Sequence, residues 1–202
     1  MTPAPASRET WADKQIGLLG GSFNPAHEGH VAISEAALQR LSLDAVWWLV
    51  SPQNPLKQAA TLAPFDTRVK QAEGIVTNPR IKVMDFEGEE NLRYTIETLE
   101  WLGQQFPTTN FVWLMGVDCL DDFAKWKSWE KIMNIVPFAI FARPGYSIDA
   151  FKGEAAVAWE KNRLPEGEAN GLARKHPPAW VYLEGPLVDV SATQLRRPGG
   201  AN

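Results

Sequence analysis

Cysteine, histidine and surplus positive charge are all scarce in this chain. A single cysteine, Cys119, excludes an internal disulfide, and with only three histidines beside it there is little from which to build a four-ligand zinc site. Lys and Arg number 20 against 24 Asp and Glu, a formal net charge of -4, so no basic excess exists to hold a nucleic-acid backbone. Any positive charge that matters must be local. No apolar run reaches membrane-spanning length and residues 1–15 hold no signal-type apolar core, so neither a nucleic acid nor a membrane is the expected partner and the expected compartment is the cytoplasm. No internal repeat or low-complexity tract breaks the 202 residues, a length that suits one domain with an ample core. Nine tryptophans are many, yet pairs such as Trp47-Trp48 sit in strand-like runs, where core packing is the simpler role.

What the chain does have is concentrated between Gly20 and His30, where the order is Gly-Gly-Ser-Phe-Asn-Pro-Ala-His-Glu-Gly-His. An apolar run, Ile16 to Leu19, precedes it, and Ile33, Ala37, Leu38 and Leu41 follow at helical spacing, so the stretch reads as strand, glycine loop, helix. Gly20 and Gly21 let the backbone approach a bulky anion, and a helix starting near Gly29 points its unpaired amides at the same place. The expected ligand is a triphosphate. His27 and His30 lie three apart across that junction, close enough for both imidazoles to face it. As zinc ligands they would supply only two of four, and the chain offers no neighbouring third.

Further along, strands are expected at 45–50, 81–84, 111–115, 136–142 and 180–183, alternating with helices. Residues 1–13, rich in Pro, Ala and Ser, are expected to form a loosely attached arm ahead of a single domain over 14–202. Phe65, Val69, Ala72 and Ile75 make one apolar helix face, with Arg68 as a candidate inward exception. Residues 85–93 read as a polar acidic loop, and Thr95 as the N-cap of a helix burying Ile96, Leu99, Leu102 and Phe106. Polar residues recur where strands end: Ser51 to Lys57, Gly116-Val117-Asp118, and Arg143-Pro144-Gly145. Arg143 is left open between an anion and solvent. The charged, Pro/Gly-punctuated segment at about 147–178 reads as a variable insertion with a helix near 154–162, and its role is open between surface insertion, lid and oligomer contact.

The segment Ser22-Phe23-Asn24-Pro25-Ala26-His27-Glu28-Gly29-His30 resembles the Thr/Ser-Phe-Asp/Asn-Pro-x-His-x-Gly-His signature of the nucleotidyltransferase superfamily, and the chain from about Ile16 to Arg196 is most similar to bacterial nicotinate mononucleotide adenylyltransferases. A second signature, Ile-Ser-Ser-Thr-x-Ile-Arg, is resembled by Val190 to Arg196, with Ala192 in place of the middle serine. The chain ends six residues after Arg196, so a shortened terminal helix is expected. The fold implied is α/β, a doubly wound parallel sheet of Rossmann-like nucleotidyltransferase type, with its ligands at the strands' carboxyl ends.

The resemblance also implies an activity: adenylyl transfer from ATP to nicotinate mononucleotide. Its implied catalytic residues are His27, His30, Lys57 and Arg196. ATP would contact Gly20, Gly21, Ser22, Phe23, His27, His30, Gly116, Asp118, Ser191, Thr193 and Arg196. The acceptor would contact Asn54, Lys57, Tyr94, Thr95 and Trp126, with Trp126 flanking the pyridine and Trp129 packing beneath the next helix. Mg2+ would travel on the ATP phosphates rather than in a protein cage. The acceptor phosphate is already an anion, so no general base is required, and a neutral imidazole that donates a hydrogen bond is expected at His30. The alternatives are a related enzyme using nicotinamide mononucleotide or another phosphate acceptor, and a nucleotide-binding sensor without turnover. A class I aminoacyl-tRNA synthetase, which has a similar His loop, would need a longer chain. Homo-oligomerisation is left open.

Overall fold

The computed structural model describes residues 8–52, 62–144 and 151–185. Its centre is a sheet of seven strands: β1 (Gln15–Gly21), β2 (Ala45–Val50), β3 (Ile81–Met84), β4 (Asn110–Gly116), β5 (Phe138–Phe141), β6 (Arg163–Leu164) and β7 (Trp180–Leu183). They lie in the order β3-β2-β1-β4-β5-β7-β6, every pair parallel. Between them run α1 (Glu28–Arg40), α2 (Phe65–Ile75), α3 (Phe86–Glu89), α4 (Thr95–Gln105), α5 (Leu120–Phe123), α6 (Trp129–Met133) and α7 (Glu154–Ala158). Among the described residues no helix is long and apolar enough to cross a membrane.

Both faces of the sheet are covered, which is why β2 is apolar throughout: all six of its residues are buried. Successive strand side chains point to opposite faces, so Trp47 enters one core with Leu18, Trp113 and Phe106 while Trp48 enters the other with Leu19, Leu114 and Phe141. On α1 the buried positions include Ser34, a polar residue on the inward face. Its hydroxyl accepts from Trp48 Nε1 (2.7 Å) and donates to the His30 carbonyl (2.8 Å), so it ties the second core to the start of the helix.

Several elements differ from the expectation. Within 85–93 the chain forms α3, whose Phe86 ring is buried and stacks on Trp101 at 4.7 Å. The N-cap of α4 is Tyr94, and Thr95 is the first helical residue. The helix near 154–162 is α7 followed by a separate 3-10 turn, Glu160–Asn162. Beyond it the segment adds β6 at the sheet edge and buries Leu172 and Ala173 against the second core. Two adjacent apolar residues carry no periodicity, so nothing in the pattern marks them as core. Near the amino terminus, Arg8–Trp11 is a 3-10 turn whose Trp11 ring meets Trp47 edge-on at 5.3 Å and whose Trp11 carbonyl accepts from Thr109 Oγ1.

Candidate active site

β1 and β4 are neighbours, but the chain leaves β1 toward β2 and continues from β4 toward β5 on the other side, so the crevice above their carboxyl ends is the sheet's switch point. A cavity of about 290 Å³ opens there. Its wall gathers Gly20, Gly21, Ser22, His27 and His30 from the first loop, Tyr94 and Thr95 from the start of α4, Gly116 and Asp118 after β4, and Trp126 after α5. Residues separated by a hundred positions in sequence thus share one space. Phe23 differs from the expectation: its ring is 1% exposed, stacked on Trp48 at 5.0 Å and against His30 at 4.7 Å, so it supports the wall from behind. Phe23 also adopts φ of 45°, the left-handed region, a strain that the ring packing holds in place. Asn54, Lys57, Ser191, Thr193 and Arg196 lie outside the described residues.

Two glycines at this crevice have packing reasons. A Cβ on Gly20 would sit 2.6 Å from the Trp113 ring, and one on Gly116 would collide with the Asp118 carboxylate. Gly20→Ala is therefore expected to cost about 1–3 kcal/mol of stability, because a central tryptophan must shift. Chemical denaturation would register it, and a loss below about 0.5 kcal/mol would contradict the contact.

The imidazoles of His27 and His30 lie 3.8 Å apart, centroid to centroid. The backbone N–H of His27 donates to Nδ1 of His30 at 3.2 Å. A nitrogen that accepts carries no proton, so the neutral His30 ring bears its hydrogen on Nε2. Burial, reinforced by the nearby Arg143 guanidinium, lowers the His27 pKa to about 4. A proton added to Nδ1 of His27 would be a buried donor with no acceptor among the described residues.

This shift sets a pH dependence. Between pH 4 and 6.5 the unfolded chain holds more protons on His27 than the folded one, so the residue's contribution to stability falls as pH drops through that window. Melting at pH 7.5 and pH 5 should show a larger loss for the wild type than for His27→Gln. Equal losses would contradict the assignment.

At the opposite end, Tyr94 and Thr95 at the start of α4 line the cavity. Glu97 reaches back: one carboxylate oxygen accepts from the N–H groups of Arg93 (3.1 Å) and Tyr94 (3.3 Å), and the other accepts from Lys127 Nζ (2.8 Å). The Lys127 ammonium sits 4.1 Å from the centre of the Tyr94 ring. The Lys127 hydrogen bond and the two backbone N–H groups lower the Glu97 pKa. The helix start is thus capped upstream while Thr95 faces the cavity, an arrangement suited to a small anion. Trp126 lines the same cavity, edge-on to Trp113 with centroids 6.2 Å apart, while Trp129 packs against Phe123 and Trp159 away from the wall.

Arg143 and Glu87 are among the wall residues that went unassigned from sequence. Arg143, after β5, lines the cavity and pairs with the Asp118 carboxylate. Its place at a strand's carboxyl end was the available signal. Glu87 also lines the cavity but is hidden in the sequence among Asp85, Glu89 and Glu90, which share its charge.

Residues 18–198 match the cytidylyltransferase-like family. A protein of Methylorubrum extorquens named "Probable nicotinate-nucleotide adenylyltransferase" is 50% identical over 182 residues, covering 90% of this chain and 98% of its own. One of the same name from a Ruegeria species is 47% identical over 184 residues, covering 91% and 97%. Among solved structures, Plasmodium falciparum nicotinic acid mononucleotide adenylyltransferase complexed with NaAD superposes with a TM-score of 0.67 over 91% of this chain and 82% of its own, at 20% identity, a likeness of fold.

Proposed function

Since the chain belongs to the cytidylyltransferase-like family, we propose that it transfers the adenylyl group of ATP to nicotinate mononucleotide, releasing pyrophosphate and nicotinate adenine dinucleotide. The observation that carries this reading is the pairing of two unlike ends in one cavity: a glycine-histidine loop built for phosphates, and a helix start beside a tryptophan built for a flat anionic ring.

In the reaction, an oxygen of the acceptor phosphate attacks the α phosphorus of ATP, the bond from that phosphorus to the bridging oxygen breaks, and pyrophosphate leaves with the electron pair. The nucleophile needs no deprotonation. The protein's work is to hold two anions in line and to stabilise charge on the α-phosphate oxygens. His30 donates from Nε2, the nitrogen left protonated by its bond to the His27 amide. His27, neutral and packed on His30, keeps that ring oriented and adds a second contact to the phosphates. Lys57 and Arg196 are assigned to the phosphates on the resemblance of their motifs.

Gly20, Gly21 and Ser22 bring backbone close to the triphosphate, and Asp118 accepts from ribose hydroxyls once Arg143 turns to the phosphates. Ser191 and Thr193 complete the ATP side by resemblance, as Asn54 does the acceptor side. The pyridine carboxylate is received by the Thr95 end of α4, between Tyr94 and Trp126. Magnesium carried in on ATP would neutralise phosphate charge without a protein cage. The reaction is placed in the cytoplasm, with homo-oligomerisation left to a sizing measurement. Mixing the protein with ATP, magnesium and nicotinate mononucleotide tests the reading. Stoichiometric pyrophosphate and dinucleotide are expected, and tight nucleotide binding with no pyrophosphate would replace the enzyme with a sensor.

A further inference from the structure

Glu87 has no part in the scheme above, yet it is buried, ionisable and on the cavity wall. It is 7% exposed and accepts from Thr98 Oγ1 at 2.6 Å. Thr98 lies three residues beyond Thr95 on α4, hence on the same helix face, so Glu87 stands behind the helix start that receives the pyridine carboxylate. An ionised Glu87 would share the cavity wall with an incoming carboxylate.

We propose, on the adenylyl-transfer reading above, that Glu87 is the specificity-determining residue for the pyridine substituent: as a neutral acid it admits a carboxylate, and once ionised it repels a carboxylate and favours a carboxamide, whose N–H can donate to it. Burial raises the Glu87 pKa to about 7, against the opposing effect of the Thr98 hydrogen bond, so both forms are present near neutrality. Of the charged groups on the same wall, Arg93 is exposed to solvent. On its own helix Glu89 and the following Glu90 are exposed, and β2, which packs on α3, is wholly apolar. From α4, Glu97 is engaged by Lys127 and by the Arg93 and Tyr94 amides, and after β4 Asp118 is engaged by Arg143. Lys125, on the same wall, is paired with Asp122.

The test is calorimetric titration of the full chain with nicotinate mononucleotide and with nicotinamide mononucleotide at pH 6.5, 7.5 and 8.5. Both ligands carry the same phosphate, so its titration cancels in the ratio of their affinities. In the wild type the acid-to-amide ratio should fall at least about 25-fold across this range, as the neutral fraction of a group with a pKa near 7 declines. In Glu87→Gln it should be flat. In Thr98→Val, which keeps the carboxyl and removes the bond that lowers its pKa, the fall should move to higher pH. A flat wild-type ratio, or equal slopes in wild type and Thr98→Val with the midpoint unmoved, overturns the proposal even if Glu87→Gln fails to fold. Pyrophosphate release measured beside it separates the two claims. A pH-dependent ratio without turnover removes the adenylyl-transfer reading alone, turnover with a flat ratio removes the Glu87 role alone, and failure to bind either mononucleotide removes both.

Discussion

His30→Ala is expected to lower turnover by about 10²–10³-fold while moving the melting temperature by only a few degrees. The ring's contribution is a single directed donor. Its Nδ1 is committed to the His27 amide, so Nε2–H is the proton presented to the α phosphate, and alanine presents nothing. Stability changes little because His30 is only part-buried, and Phe23, one of the rings packed on it, keeps its stack on Trp48. His30→Gln, whose terminal amide can donate from a similar position, should recover part of the loss. Steady-state assays and a thermal melt decide the matter together, and a His30→Ala protein within a few-fold of wild-type turnover would remove the imidazole from the chemistry.

Arg68→Met should produce the largest stability loss, about 3–5 kcal/mol, a sizeable share of what holds a domain folded. The Arg68 guanidinium is 1% exposed and donates to four carbonyls: Ser22 (2.6 Å), Ser51 (2.8 Å), Pro52 (2.8 Å) and Ala63 (3.0 Å). It therefore clamps the phosphate loop after β1 to the chain leaving β2 and to the entrance of α2. Methionine would fill the volume and leave those carbonyls unpaired, and lysine, a point donor without the planar fork, could satisfy only some of them. Burial lowers the Arg68 pKa, but the group remains a cation throughout the working range. Denaturant unfolding of Arg68→Met and Arg68→Lys should rank wild type above lysine above methionine. A loss under about 1 kcal/mol for Arg68→Met would mean that the clamp is dispensable.

The parts of this molecule legible from sequence are those with a strong local code. The strands at 45–50, 81–84 and 180–183 were expected at the bounds observed: the first is a continuous apolar run buried on both faces and ended by Ser51-Pro52, and in the edge strand at 81–84 only Lys82 interrupts the apolar residues. The loop from Gly20 to His30 was legible because glycine, two histidines and a helix start coincide in eleven residues. Arg68 was legible as an inward exception because it interrupts an apolar face at helical spacing. Other features depend on distant partners. Glu87 reads as one more acid in an acidic stretch until Thr98 and the cavity are placed around it, and Arg143 reads as a turn residue until Asp118 faces it. β6 is two residues long and exists only because the edge of β7 is there to pair with. Thr95 looks like a cap by residue type, yet Glu97 draws the Arg93 and Tyr94 amides to itself and shifts the boundary by one residue.

The account turns on both nucleotides occupying the one crevice between the ends of β1 and β4. A crystal structure of the chain with nicotinate adenine dinucleotide tests this most directly. The pyrophosphate bridge should lie against Gly20 and His30, and the pyridine carboxylate should point at the amides of Thr95 and Ile96 beneath Trp126. A dinucleotide bound elsewhere, or bound with its pyridine at the His27 end, would contradict it.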